Sequence, residues 1–269
     1  MTPRSHPLFA VIPAAGLGTR LHPLTLHTPK ELLPVGGAPA ILSPLLEAEA
    51  AGVEEVAVVL SPAKEALRRW LDARRDRFDF ELHFVEQREP LGVIDALGAG
   101  LKKLGVTTQS YAVLYPDYIS LPRQEGLMQL CLHRPDPAST AMALKSVTQE
   151  RSLRSGRTAF ALTRQIDGPL HRILRLEARD AEPGAIHTTF AEIRGRIHTE
   201  ATAQILGDAA PHDGINLEVF NEVARREALY GVMIDGPVLD LGVMKGYRDA
   251  KARFESGQAR WRDQGDPDV

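Results

Sequence analysis

Cysteine is almost absent: Cys131 is the only one in 269 residues. No intramolecular disulfide and no thiolate zinc site can be built, which excludes a secreted disulfide scaffold and suits a cytoplasmic protein. Basic charge is not in excess either, with 32 Lys and Arg against 35 Asp and Glu and a formal net charge of −3. A surface that grips nucleic-acid backbone carries surplus Lys and Arg, so a nucleic-acid partner is excluded and any phosphate recognition has to be local. Long apolar runs are missing: residues 1–7 hold no stretch of signal-peptide length, and nothing later reaches the roughly 20 apolar residues of a membrane span. Internal repeats and low-complexity tracts are likewise lacking, and the nine histidines show no metal-ligand spacing on a helix.

What is present is a chain with 43% hydrophobic residues, enough to bury a full core in one large domain or in two closely joined lobes. Residues 8–13 (LFAVIP) form a short apolar, β-prone run that ends in Ala14-Ala15-Gly16-Leu17-Gly18-Thr19-Arg20, which reads as a buried strand feeding a loop. Residues 43–52 then read as a helix with Pro44 in its first turn and Gly52 at its end, and residues 53–60 as a strand. The alternation continues with a helix over 63–76, a strand over 80–85, a helix over 93–104 and a strand over 111–114 that stops at Pro116-Asp117. In the second half, residues 140–147, 158–164 and 170–177 read as strands and 215–227 and 243–254 as helices, with a frayed tail from Gln264. Such alternation predicts an α/β fold, a Rossmann-like mixed but mainly parallel sheet flanked by helices. Right-handed crossovers would then put the ligand at the carboxyl ends of the strands, where both the Gly16 loop and Asp117 fall.

Gly16 and Gly18 after a strand let backbone amides approach a phosphate closely. A dinucleotide-binding loop would want glycine at Leu21 and an acid where Gly36-Gly37 stands, and a Gly-Lys-Ser/Thr phosphate loop does not occur. The continuation is more specific: Gly16 to Thr25, then Thr28-Pro29-Lys30-Glu31-Leu32-Leu33-Pro34-Val35, then Pro39-Ala40-Ile41. It resembles the signature of the sugar-phosphate nucleotidyltransferases, nearest to the bacterial UTP–glucose-1-phosphate uridylyltransferases and glucose-1-phosphate thymidylyltransferases. Two fixed cations, Arg20 and Lys30, beside a loop of amides also suit a triphosphate on physical grounds.

The resemblance implies a single nucleotidyltransferase domain over residues 1–269. Residues 1–121 would form its nucleotide-binding half, 122–242 its acceptor-binding half, and 243–269 a C-terminal helix and tail. It implies a nucleotide site made of Ala14, Ala15, Gly16, Gly18 and Thr19, with Gln87 and Gly92 reading the base and Arg20 and Lys30 acting on the phosphates. Asp117 and Asp240, the latter in Val238-Leu239-Asp240-Leu241-Gly242 with Gly246-Tyr247 behind it, would hold Mg²⁺. The partners implied are a nucleoside triphosphate, UTP or dTTP first, and a sugar 1-phosphate or similar small phosphate, with pyrophosphate released; a homo-oligomer is compatible with the reading.

The chain departs from the family pattern on the acceptor side. Glu-Lys-Pro is replaced by Leu176-Glu177-Ala178-Arg179, so the lysine is missing; Glu177 and Arg179, with Gly195, become the acceptor-site candidates, and Arg175 is the alternative source of the cation. Near the base, the family's Leu-Gly-His-Ala or Leu-Ala-Gln-Ala is Val93-Ile94-Asp95-Ala96 here. Two other readings therefore stay open: a cytidylyltransferase acting on a non-sugar phosphate or phosphonate, and a non-catalytic nucleotide-binding regulator.

Overall fold

The computed structural model describes residues 9–89, 91–120, 125–146, 158–179, 185–206 and 215–261. Its centre is a nine-stranded sheet containing β1 (Phe9–Pro13), β4 (Glu55–Leu60), β5 (Glu81–Glu86), β6 (Tyr111–Leu114), β8 (Thr140–Ser146), β9 (Thr158–Asp167), β10 (Leu170–Arg179), β11 (Ile186–Arg194) and β12 (Leu229–Met233). Across the sheet they run β5-β4-β1-β6-β11-β8-β12-β10-β9. The first four are mutually parallel, and only β11 and β10 run against the common direction. The expected mixed, mainly parallel sheet is thus present.

Parallel strands covered on both faces need apolar residues throughout, and β1 and β4 bury Ala10, Val11, Ile12 and Val56 to Leu60 without alternation. One face packs on α1 (Leu42–Ala50), α2 (Glu65–Asp72) and α4 (Gly126–His133), and the other on α3 (Val93–Leu104). Each fully buried Leu, Ile or Val on these faces contributes about 1.5–3 kcal/mol.

The far half of the sheet curls. β9 pairs with β10 along its length and also returns to β11 through Phe160 and His187, so β11, β8, β12, β10 and β9 close on themselves. Helices α5 (Arg196–Leu206) and α6 (Ile215–Arg225) cover this half through a cluster that includes Met142, Leu144, Ile173, Val219 and Phe220. The last helix, α7 (Met244–Glu255), turns back to the start of the chain and packs on a small hairpin, β2 (Pro34–Val35) with β3 (Ala38–Pro39). Tyr247 donates from its hydroxyl to the Pro34 carbonyl (2.9 Å) and Trp261 from its indole to that of Val35 (2.8 Å).

The helix over 93–104 and the strand over 111–114 form as expected. The helix expected over 63–76 is shorter: a 3₁₀ turn at Pro62–Lys64 leads into α2, which stops at Asp72 before a second such turn at Arg75–Arg77. Strands over 140–146, 158–167 and 170–179 and helices over 215–225 and 244–255 match the readings to within a few residues. Residue 8, residue 147 and the tail from Gln264 lie outside the described residues. β11, α4, α5 and β12 were not anticipated: Thr188, Thr189 and Glu192 interrupt the apolar pattern of β11 because its polar side chains find partners inside the fold.

Candidate active site

The loop after β1 opens onto a cavity of about 600 Å³ at the carboxyl edge of the sheet. Pro13, Ala15, Gly16 and Leu17 line it from β1, Ser61 to Ala63 from β4, Gln87 and Arg88 from β5, and Tyr115 to Asp117 from β6. Lys30 reaches it from the loop side, and Gly92, Val93 and Ala96 from the start of α3. Ala14 is fully buried at its base, its N–H given to the Val59 carbonyl. Gly18 begins a 3₁₀ turn, Thr19–Leu21, in which Thr19 and Arg20 are exposed; Thr25 donates its hydroxyl to the Gly18 carbonyl (2.9 Å) and fastens the loop.

The charged groups meet where two short strands cross the mouth of this cavity. β7 (Tyr118–Ser120) pairs antiparallel with β13 (Val238–Asp240), Tyr118 opposite Asp240, and the Leu241 N–H donates to the Asp117 carbonyl at 2.7 Å. This ribbon sets Asp117 beside Asp240. Gly242 fills the space between them: a Cβ there would lie 3.2 Å from Asp117 Oδ2, 3.2 Å from Asp240 Oδ1 and 3.4 Å from an Arg20 guanidinium nitrogen. Any side chain at 242 would crowd all three groups. Gly246 serves the same end, since a Cβ on it would stand 1.8 Å from the Asp240 carbonyl oxygen and push α7 away.

Lys30 Nζ donates to Asp117 Oδ2 at 2.9 Å, both side chains being mostly shielded from solvent. Burial disfavours the ammonium, but the carboxylates of Asp117 and Glu31 outweigh it and raise the pKa of Lys30. Beneath lies a pair that the sequence did not announce. Lys64 donates to both carboxylate oxygens of Glu31 (2.7 and 2.8 Å) and to the Ala14 carbonyl, with Glu31 fully buried and Lys64 4% exposed. Burial lowers the pKa of Lys64 against the pull of Glu31. The pair ties the segment carrying Lys30 to the loop carrying Gly16. Glu31 stands in the recognised motif, whereas Lys64 sits in an ordinary charged stretch with no distinguishing signal.

On the far wall, Tyr115 donates to Glu192 (3.1 Å), which in turn accepts from the fully buried Arg194 (2.8 Å). Burial pushes the Tyr115 phenol well above its ordinary value, so it remains a neutral donor.

The acceptor-side candidates do not assemble in the same way. Glu177 pairs in register with Phe160, Phe160 with His187 and His187 with Lys145, which brings it to the carboxyl edge of β8; there its carboxylate faces Arg175 at 3.4 Å and is half exposed. The backbone of Arg179 lies opposite Thr158, and its side chain lies outside the described residues. The structure does not bring Gly195 to the cavity. It follows Arg194, which pairs with Tyr111 at the start of β6, so it stands at the opposite edge of the sheet. A Cβ on Gly195 would lie 2.3 Å from the carbonyl oxygens of Ala138 and Ser139, which gives this glycine a packing reason unrelated to a ligand.

Among the described residues, Glu55, Glu81 and His83 also offer ligand-type atoms within 4.8 Å of one another. They lie on β4 and β5 at the edge away from the cavity. No helix among the described residues is long and apolar enough to cross a membrane.

The chain is 29% identical over 174 residues to a UTP–glucose-1-phosphate uridylyltransferase of Bacillus subtilis strain 168, the match covering 55% of this chain and 56% of that one. It is 38% identical over 104 residues to a glucose-1-phosphate thymidylyltransferase of Mycolicibacterium smegmatis, covering 38% and 36%. These matches span about half or less of the relatives' own length. A crystal structure of UDP-glucose pyrophosphorylase complexed with UDP-glucose has the same fold, with a TM-score of 0.78 at 20% identity over 93% of this chain and 98% of that one. The family model described as nucleotidyl transferase matches residues 9–154, which run from β1 past the Gly16 loop, Lys30 and Asp117, and the chain therefore belongs to the nucleotidyl transferase family.

Proposed function

We propose that this chain joins UTP or dTTP to a sugar 1-phosphate and releases pyrophosphate, with Mg²⁺ held by Asp117 and Asp240. The observation that carries the proposal is the convergence around Gly242 of two carboxylate oxygens and the Arg20 guanidinium, with Lys30 on Asp117, at the mouth of a cavity lined by the Gly16 loop. Asp117 Oδ2 already accepts from Lys30 (2.9 Å) and Asp240 Oδ1 from the Gly242 N–H (2.8 Å), and a carboxylate so held still has lone pairs for Mg²⁺, which commonly takes one or two carboxylates plus substrate phosphates. Bound there, the ion would neutralise phosphate charge and make the α-phosphorus easier to attack.

The chain's own residues then position and compensate charge. Backbone amides at Ala15, Gly16 and Gly18 would cradle the phosphates, and Arg20, exposed at the mouth, would hold the β and γ groups whose departure makes pyrophosphate. Lys30 would stand at the α-phosphate, where charge grows as the acceptor oxygen adds in line. The acceptor phosphate is already an anion, so no general base is required. Gln87 and Gly92 would face the base. On the acceptor side Glu177 and Arg179 remain the candidates, and Gly195 is set aside by its position.

The test crosses UTP, dTTP, CTP, GTP and ATP with glucose 1-phosphate, mannose 1-phosphate and a non-sugar phosphate, reading pyrophosphate release with Mg²⁺ and with EDTA. Release with UTP or dTTP and a hexose 1-phosphate, abolished by EDTA, is expected. Release only with CTP and the non-sugar acceptor, or triphosphate binding without release for every acceptor, would overturn the proposal in favour of a cytidylyltransferase or a nucleotide-binding regulator respectively.

A further inference from the structure

Gln87 follows β5 with only 8% of its surface exposed, and it lines the cavity. Its amide nitrogen lies 2.7 Å from Asp95 Oδ2 and 3.2 Å from the Gly92 carbonyl oxygen. A carboxylate and a carbonyl can only accept, so both amide hydrogens are committed to them and the side-chain carbonyl of Gln87 is the group left to offer a ligand. Which way round a glutamine amide sits is decided by the hydrogen bonds around it. Here the flipped one would set an oxygen against two other oxygens, with no donor in between.

Asp95 is itself held firmly. It sits in the first turn of α3, between the buried Ile94 and Ala96, and the same helix presses Gly100 so closely on β1 that a Cβ there would lie 2.7 Å from a Val11 methyl. A rigid helix carrying the carboxylate makes the orientation of Gln87 a fixed property of the fold, which is how a binding group discriminates without first having to be ordered.

We infer that Asp95 is a positioning residue for base selection: it presets Gln87 as a hydrogen-bond acceptor and so favours a base whose ring nitrogen carries N–H, as in uracil or thymine. The inference rests on the proposed nucleotide site. Cytosine offers a bare ring nitrogen in the corresponding place and would meet the Gln87 carbonyl lone pair against lone pair, a repulsive element of the kind that specificity requires.

The test is equilibrium binding of UTP and CTP with Mg²⁺ to the wild type, Asp95→Ala and Asp95→Asn, alongside inorganic tripolyphosphate as a probe of the phosphate subsite and thermal unfolding of each variant. The wild type should favour UTP. Asp95→Ala frees the amide to turn and should reduce the UTP-to-CTP affinity ratio by about tenfold or more, leaving tripolyphosphate binding unchanged. Asp95→Asn still offers an oxygen and should keep most of the preference. Equal binding of UTP and CTP by the wild type would overturn the inference. So would a ratio kept within about twofold in Asp95→Ala, or a uniform loss that extends to tripolyphosphate and tracks a lower melting temperature, which marks a merely structural role. Because binding needs no turnover, absence of pyrophosphate release with discrimination intact would refute the proposed reaction and leave this assignment standing.

Discussion

The two ends of the central sheet build their edges differently. From β5 to β6 all strands run one way, so every crossover returns a loop to the same edge, and Gly16, Ser61, Gln87 and Tyr115 meet there although up to about a hundred residues separate them. From β11 to β9 two strands run against the rest, and the same edge receives strand starts such as Leu170 and Ile186 beside strand ends. The edge around Gly16 is accordingly a ring of loops around fixed charge, and the far half a curled sheet whose candidate carboxylate, Glu177, is half exposed and paired with Arg175. Each half has a buried ion pair, Lys64–Glu31 in one and Arg194–Glu192 in the other, but only the first lies directly beneath a charged residue of the cavity, whereas Glu177 keeps its charge within reach of water.

The sharpest way to break that contrast is to remove the buried pair. Lys64→Met leaves the Glu31 carboxylate buried without its partner, and urea unfolding should show a loss of about 3–5 kcal/mol; pairing the change with Glu31→Leu should restore much of it. If the single variant is as stable as the wild type, the edge around Gly16 is not organised around this pair. Next, Asp117→Asn or Asp240→Asn should lower pyrophosphate release at least about a hundredfold with the circular dichroism spectrum unchanged, while near-normal turnover would remove either carboxylate from the metal role.

A third test concerns the scaffold beneath. Glu47 on α1 accepts the Leu127 N–H at 2.7 Å, and burial pushes its carboxyl up to about 8. Its folded value lies above its unfolded one, so its contribution is fully present below about pH 4.5 and is lost as pH rises through about 8. Wild-type stability should therefore fall over that window by more than the stability of Glu47→Gln does, the difference exceeding about 1 kcal/mol in parallel unfolding titrations. Smallest of all, Glu177→Gln should raise the KM for the sugar phosphate by only about threefold and leave that for UTP alone, since an exposed ion pair contributes little. A loss of tenfold or more would show the curled half to be as tightly built as its neighbour.

How much of this was legible follows the same division. The parallel strands announced themselves because burial on both faces demands unbroken apolar runs, and the loop motif from Gly16 to Val35 carried the family membership that residues 9–154 bear out. β11 was missed because Thr189, Glu192 and Arg194 break its apolar run, and two of the partners that satisfy them, Tyr115 just after β6 and Ala143 on β8, lie far away in the chain. Gly195 drew attention as a glycine near a family motif, yet its reason is contact with the Ala138 and Ser139 backbone.

Local sequence thus determined the first strands and helices, the phosphate-type loop and the presence of Arg20, Lys30, Asp117 and Asp240, because periodicity and turn chemistry act over neighbouring residues. Only the tertiary structure decided that Asp117 and Asp240 face one point across Gly242, that Lys64 closes on Glu31, and that Asp95 turns the Gln87 amide. The first two depend on strand order and on distances between residues far apart in the chain, and the third on how a helix start packs beside the end of β5, and nothing in a one-dimensional pattern fixes which polar group meets which.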